Sequence, residues 1–125
     1  MSERRKKILV VDDAGPVVVL CVNVLQALGY AVQGANNGEV ALGHLERETF
    51  DLVIVDYKMP GMSGFQVLER ARERHPDIAS VLVTGHGTPE VMKEAAKHSF
   101  DAILLKPFTS NELRTTVDQV LRGRS

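Results

Sequence analysis

Short, mostly apolar runs alternate with helix-length segments five times along this 125-residue chain, and this alternation constrains the fold more than any other feature. The runs lie at 8–11, 30–35, 52–55, 78–83 and 102–105. Runs this short and rich in β-branched residues predict strands, and a helix between consecutive strands is typical of a parallel sheet that is covered on both faces. We therefore predict an α/β fold, a doubly wound five-stranded parallel sheet with five helices.

Local signals indicate where several of the helices begin and end. Ser63 with Gln66, and Thr109 with Glu112, have the spacing of a capping box, so helices are expected to begin after Ser63 and Thr109. The first helix is expected at 17–28, because Pro just before it suits a first helical turn and Gly just after it suits a helix end.

Length and composition exclude several classes of protein. A chain of 125 residues predicts one domain, 1–125, and a net charge of -1 gives no reason to expect a nucleic-acid surface. No apolar run approaches the roughly 20 residues of a membrane helix. Cys21 is the single cysteine, which excludes an internal disulfide and suits a reducing compartment. We expect a cytoplasmic protein without a membrane segment.

Charged or hydroxyl side chains lie at the ends of four of the five predicted strands. They are Asp12, Asp13, Asp56, Thr84 and Lys106. Because right-handed crossovers bring the carboxyl ends of parallel strands to one edge of a sheet, these side chains are expected to lie close together. Three crowded carboxylates repel one another, and an all-oxygen set suits Mg²⁺. A carboxylate neutralised in this way can be the nucleophile of a phosphoryl transfer, with Lys106 and Thr84 stabilising the transferred group.

Four short pieces of this sequence resemble the response-regulator receiver domain of two-component signalling, in that family's order and spacing. The pieces are 10–13 (VVDD), Asp56 with 59–64 (MPGMSG), 83–85 (VTG) and 106–108 (KPF). The resemblance covers essentially the whole chain and implies the flavodoxin-like strand order 2-1-3-4-5. It also implies that Asp56 accepts phosphate from a sensor histidine kinase or a histidine phosphotransfer protein. On this reading the chain is a signalling domain for a partner or effector, and not an enzyme with its own substrate.

The resemblance also implies roles for the residues around Asp56. The implied Mg²⁺ ligands are Asp13, Asp56 and the backbone carbonyl of Lys58, with Asp12 assisting through water. Thr84 and Lys106 are implied to contact the phosphoryl group. The Lys106-Pro107 peptide is implied to be cis, a form that only X-Pro bonds adopt readily.

One position departs from the family's switch. The family pairs its threonine with a rotating aromatic residue three positions before the lysine, and here that position is Ile103. Isoleucine has no ring to swing. Either the usual route to the surface of helix 4, strand 5 and helix 5 is changed, or Ile103 simply packs and Thr84 moves regardless.

The first predicted helix is apolar on more than one side. The residues predicted to fill the core are Val17, Leu20, Cys21, Val24, Leu25 and Leu28. Val18, Val19 and Val22 are predicted to point outward, and a cluster of exposed apolar residues indicates a protein contact. In the family this helix meets the helical bundle of the phosphodonor. We therefore expect the three valines to serve docking of the kinase or phosphotransfer protein, or a homodimer contact.

Other classes of function remain to be weighed against the receiver. The alternative is a Mg²⁺-dependent phosphatase with an aspartate nucleophile, of the haloacid dehalogenase type, but that family has a second acid where this chain has Lys58. A flavin-binding domain on the same fold needs a neutral, hydroxyl-rich phosphate loop, and Asp12 and Asp13 would repel a phosphate there. A receiver that has lost phosphorylation is disfavoured because the acidic set is intact.

Overall fold

The computed structural model describes residues 5–123. The strands are β1 (Lys7–Val11), β2 (Ala31–Ala35), β3 (Leu52–Asp56), β4 (Ala79–Thr84) and β5 (Ala102–Leu105). The helices are α1 (Gly15–Ala27), α2 (Gly38–Arg47), α3 (Gly64–Arg74), α4 (Pro89–Lys97) and α5 (Ser110–Arg122). The strands pair in parallel in the order β2-β1-β3-β4-β5, so the predicted fold class is confirmed.

Helices cover both faces of the sheet. Helices α1 and α5 pack on the face that includes Ile8 and Ile54, and α2, α3 and α4 pack on the face that includes Leu9 and Val53. Strands β3 and β4 are buried along their whole length. A strand that is covered on both faces has no polar side to show, which explains why the two strands are nearly uninterrupted apolar runs in the sequence.

The predicted helix starts agree with the structure where a capping box marks them. Ser63 and Thr109 cap α3 and α5, and both halves of each capping box are formed. Helix α1 begins earlier than predicted, at Gly15, because Pro16 belongs to its first turn. Tyr30, which was predicted to lie in the second strand, precedes β2, and its hydroxyl donates to Asp118 Oδ1 of α5 at 2.9 Å.

Helix α1 faces the sheet with part of the predicted side, since Cys21 and Leu25 are buried and Val17 and Val24 pack against the same core cluster, but the boundary of that side differs. Val18 and Val22, which were predicted to point outward, lie over β2, where a Cβ added to Gly34 would be 2.6 Å from Val18 Cγ1 and 3.4 Å from Val22 Cγ2. Leu20, which was predicted to fill the core, is 41% exposed. The bare backbone at Gly34 leaves the room into which the two valines pack. The predicted outward face is therefore wrong for Val18 and Val22 and right for Val19.

The exposed apolar surface of α1 shares only Val19 with the predicted set. Val19 and Leu20 are exposed on the helix, and Leu28, also predicted to be buried, is exposed at its carboxyl-terminal cap. Cys21 and Leu25 are buried as predicted, and burial raises the pKa of the Cys21 thiol to about 11. Helix α1 carries no charged residue.

None of the helices in the described part of the chain is both long and apolar enough to span a membrane.

Candidate functional site

The carboxyl ends of four strands meet at one edge of the sheet and bring the predicted side chains together there. Asp56 is the last residue of β3 and Thr84 the last of β4, while Asp12 and Lys106 directly follow β1 and β5. The backbone fixes this arrangement, since Asp56 pairs with Val83 across β3 and β4 and the Lys106 amide donates to the Thr84 carbonyl at 2.9 Å. The parallel register therefore places all four residues at one edge.

Three carboxylates form the centre of the site. Within residues 5–123, Asp12, Asp13 and Asp56 are the one group of acidic residues placed to share a cation, with one oxygen of each within 4.8 Å of the others. Asp12 and Asp56 are buried and Asp13 is exposed. The Ala14 amide donates to Asp12 Oδ1 at 2.9 Å, which orients that carboxylate. The cluster is therefore closed on the protein side and open to solvent at Asp13.

Lys106 supplies positive charge inside this cluster. Its Nζ lies 2.9 Å from Asp12 Oδ2 and 3.4 Å from Asp56 Oδ1. Burial acts to lower the pKa of this ammonium, but its hydrogen bonds and charge interactions with Asp12 and Asp56 outweigh burial and raise the pKa above its ordinary value. Lys106 therefore stays charged and bridges the two buried carboxylates. The peptide bond from Lys106 to Pro107 is cis, in agreement with the prediction.

Asp56 is held in an unfavourable state as a bare carboxylate. Burial and the charge of Asp12 raise its pKa from 3.8 to about 6, with a further contribution from Asp13, although Lys106 acts in the opposite direction. One lysine does not balance three carboxylates. An added cation of hard, oxygen-binding character would lower the free energy of this group, which is an electrostatic reason for a metal to bind here.

The remaining predicted residues lie around this centre. The Thr84 side chain is buried, and its Oγ1 accepts a hydrogen bond from the His86 amide at 2.9 Å, so the hydroxyl is tied to the loop that leads to α4. Lys58 is exposed two residues beyond Asp56. Ile103 is half-buried and packs against the core cluster that is shared with α2, α3 and α4. Val18, Val19 and Val22 lie on α1 and do not belong to the group at the site.

Gly64 is a residue of the site that side-chain chemistry alone does not reveal. It is the first residue of α3, its amide donates to the Tyr57 carbonyl at 3.1 Å, and a Cβ added there would collide with the backbone carbonyl oxygen of Asp56. Only glycine lets α3 begin so close to the end of β3. The signal in the sequence was the glycine directly after the helix cap Ser63.

The fold and the site together define a class of protein. It is a doubly wound parallel α/β domain whose carboxyl edge carries three clustered carboxylates, a lysine bound to two of them and a buried threonine. The carboxylates are hard oxygen ligands, and the lysine is a donor for anionic oxygens. Such an edge suits chemistry in which a cation and a phosphoryl group meet.

Comparison with known proteins identifies the family. The family model of the response regulator receiver domain matches residues 8–118. The chain is 33% identical over 120 residues to chemotaxis protein CheY-3 of Vibrio cholerae, covering 94% of this chain and 92% of that protein. It is 31% identical over 115 residues to the regulatory protein LuxO of Vibrio vulnificus. A solved receiver domain from Methanospirillum hungatei superposes with a TM-score of 0.90 at 29% identity and covers 96% of each chain.

This chain belongs to the response regulator receiver domain family. It is thus a phosphoacceptor signalling domain of two-component phosphorelays, as the sequence predicted, and the phosphatase alternative is not favoured. The match to LuxO covers 92% of this chain but 25% of that protein. The chain therefore spans about a quarter of the LuxO relatives and nearly all of CheY-3.

Proposed function

We propose that Asp56 is the residue that receives the phosphoryl group from a sensor histidine kinase or a histidine phosphotransfer protein. The observation that carries the proposal is the position of Asp56, buried at the end of β3 beside Asp12 and Lys106 with its pKa raised to about 6. A cation bound beside Asp56 would offset the negative charge that Asp12, Asp13 and Asp56 share, and would leave the Asp56 carboxylate available as a nucleophile. On this proposal residues 1–125 act as one receiver domain, which signals to a partner and has no separate substrate.

The proposed transfer is a displacement at phosphorus. An Asp56 carboxylate oxygen attacks the phosphorus of a phosphohistidine whose other ring nitrogen has been protonated by solvent, so that an O–P bond forms, the P–N bond breaks and a neutral imidazole leaves. Lys106 Nζ, 3.4 Å from Asp56 Oδ1, is close enough to donate to an oxygen of the incoming group. Thr84 Oγ1 can turn from the His86 loop toward the same group, which joins the chemistry to the loop before α4.

The proposed cofactor is Mg²⁺, held by Asp13, Asp56 and the backbone carbonyl of Lys58, with Asp12 bound through water. The donor set fits this ion, because Mg²⁺ takes one or two carboxylates and keeps several waters, and the exposed side of Asp13 leaves room for them. When bound, it would neutralise the carboxylates and the phosphoryl oxygens. Asp12 and the Ala14 amide keep the buried side of the site in place.

Intact mass after incubation with acetyl phosphate and Mg²⁺ tests this assignment. We expect one phosphate adduct on the wild-type protein, and only background for Asp56→Asn and for wild type with excess chelator. Asp77→Asn is the matched control, since Asp77 lies in the turn before β4 at the opposite edge of the sheet. An equal adduct on Asp56→Asn would refute the assignment. Steady turnover of unrelated phosphate esters would instead support a phosphatase.

The proposed docking surface for the phosphodonor is the outer side of α1, centred on Val19 and Leu20. Both are exposed, and the helix offers no charged residue to a partner, which suits contact with another apolar helix. The alternative occupant is a second copy of this chain. The free thiol of Cys21 is consistent with the cytoplasm as the place where this contact forms.

Val19→Lys is expected to slow phosphotransfer from a histidine phosphotransfer protein about tenfold or more, since an unpaired ammonium in an apolar contact costs about 1.4 kcal/mol at least. Phosphorylation by acetyl phosphate should be unchanged. Val40→Lys is the control, because Val40 is a similarly exposed valine on α2. Equal rates of phosphotransfer to wild type and to Val19→Lys would exclude the outer side of α1 as the docking surface. A fall in sedimenting mass with the variant would identify it as a homodimer contact.

A further inference from the structure

Helix α4 is held to the sheet by little apolar surface. Its only buried residues are Val91 and Ala95. The loop that precedes it, residues 85–88, is exposed throughout, and so are the first two residues of the helix. Elements with few buried apolar contacts are the ones that open or shift most easily. The contact of α4 with the core therefore rests on Val91 and Ala95, while the loop before the helix is open to solvent.

The carboxyl-terminal end of α4 is fastened by α3. The Phe65 ring stacks on the imidazole of His98, with centroids 4.6 Å apart and planes at 11°. Arg72 donates from Nη2 to the Ser99 carbonyl at 2.8 Å and from Nη1 to the His98 carbonyl. Ser99 has a φ of 57°, the left-handed conformation that often follows a helix. These contacts fasten the carboxyl-terminal end of α4 to α3.

Phe65 is also connected to the phosphoacceptor strand. It directly follows Gly64, which lies against the backbone of Asp56. Its ring meets the ring of Tyr57 edge-on, with centroids 5.4 Å apart and planes at 68°. The Tyr57 amide donates to the Val83 carbonyl at 2.8 Å, so Tyr57 is joined to β4 as well. A continuous row of contacts thus runs from the residue after Asp56 to the end of α4.

Ile103 occupies the position at which the family has its rotating aromatic residue, and it does not provide such a row of ring contacts. Ile103 is half-buried and packs with the aliphatic core, and it offers no ring to Thr84. The rings that contact one another on this side of the sheet are instead those of Tyr57, Phe65 and Phe100, with Phe65 in contact with the other two. The aromatic contacts are therefore centred on α3 and not on β5.

We propose that Phe65 couples the Asp56 site to α4, through Tyr57 on one side and the stack on His98 on the other. The inference rests on the proposed role of Asp56. A change of charge and geometry at the end of β3 shifts Gly64 and the start of α3. Phe65 then transmits this shift to the end of α4 that it contacts, which biases the position of that helix. The physical basis is a shared two-state element, which must show a measurable coupling energy.

Hydrogen exchange of the α4 amides tests the coupling, with the full chain held phosphorylated by acetyl phosphate and Mg²⁺. In wild type we expect phosphorylation to change exchange over residues 89–98. In Phe65→Leu we expect the adduct to form as before, but the change in α4 exchange to fall at least about two- to tenfold, the range for loss of one of the three ring contacts that Phe65 makes. Phe50→Leu is the matched control, a phenylalanine of the same core cluster that makes no contact with this row of rings.

A second variant keeps the test decisive if Phe65→Leu does not fold. His98→Leu removes the other half of the stack, and Glu94→Gln controls for the contact between His98 and Glu94 at 3.6 Å. A wild-type response in both Phe65→Leu and His98→Leu, or an equal loss in Phe50→Leu, would overturn the coupling. No change of α4 in phosphorylated wild type would also overturn it. Absence of the wild-type adduct would instead refute the role of Asp56, on which the coupling depends.

Discussion

Gly64→Ala is expected to lower the free energy of unfolding by about 2–3 kcal/mol, the usual size of an overpacking effect. The added methyl group would collide with the Asp56 carbonyl oxygen, so α3 must move away from the end of β3. That movement would also weaken the hydrogen bond from the Gly64 amide to Tyr57. Because the collision is with the backbone of Asp56, the rate of phosphorylation by acetyl phosphate should fall together with the free energy of unfolding.

Urea denaturation of Gly64→Ala and Gly15→Ala measures this effect. Gly15 also opens a helix, but nothing lies within 4 Å of a Cβ added there. Gly15→Ala should therefore change the free energy of unfolding by less than about 1 kcal/mol. If Gly64→Ala were as stable as Gly15→Ala, the close packing of α3 on β3 would not constrain Asp56.

Asp56→Asn is expected to raise the free energy of unfolding of the metal-free protein by about 1–2 kcal/mol at pH 7.5, since each pKa unit corresponds to 1.36 kcal/mol and water screens part of it. The folded protein raises the pKa of Asp56 from 3.8 to about 6 and so binds this proton more tightly than the unfolded chain does. Wild type therefore loses stability as the pH rises from about 4 to about 6. Asparagine does not titrate, so the variant does not lose stability in this way.

Thermal or urea unfolding in the presence of a chelator, at several pH values between 4 and 8, tests the sign of this effect. The difference between Asp56→Asn and wild type should be small near pH 4 and grow to its full size above pH 6. The gain in the free energy of unfolding should be smaller for Asp13→Asn, because Asp13 is exposed. Saturating Mg²⁺ should narrow the difference. If Asp56→Asn were less stable than wild type at every pH, this would contradict the conclusion that burial and neighbouring carboxylates destabilise the charged form of Asp56.

Much of the fold was predictable because its signals are local. A strand covered on both faces is an apolar run, and a capping box such as Ser63 with Gln66 shows where a helix begins. The parallel alternation then placed Asp12, Asp56, Thr84 and Lys106 at one edge without knowledge of any contact. The family resemblance added the strand order, which the structure confirms.

The predictions that went wrong depended on contacts between distant residues. In α1 the absence of charged residues left the boundary of its sheet-facing side undefined, and Val18 and Val22 pack against Gly34 on β2, which the sequence did not show. The shorter contact of Lys106 with Asp12 than with Asp56 was also beyond sequence reasoning, because spacing does not give side-chain distances. The same is true of the stack of Phe65 on His98, which joins two helices.

The central claim is that Asp56 itself carries the phosphoryl group. Borohydride reduces an aspartyl phosphate to homoserine, so reduction after treatment with acetyl phosphate and Mg²⁺, followed by peptide mass spectrometry, locates the acceptor. The account predicts the reduced residue at position 56, dependent on Mg²⁺, with Asp12 and Asp13 unchanged. Reduction at Asp12 or Asp13 in place of Asp56, or at no aspartate in a protein that gains phosphate, would contradict it.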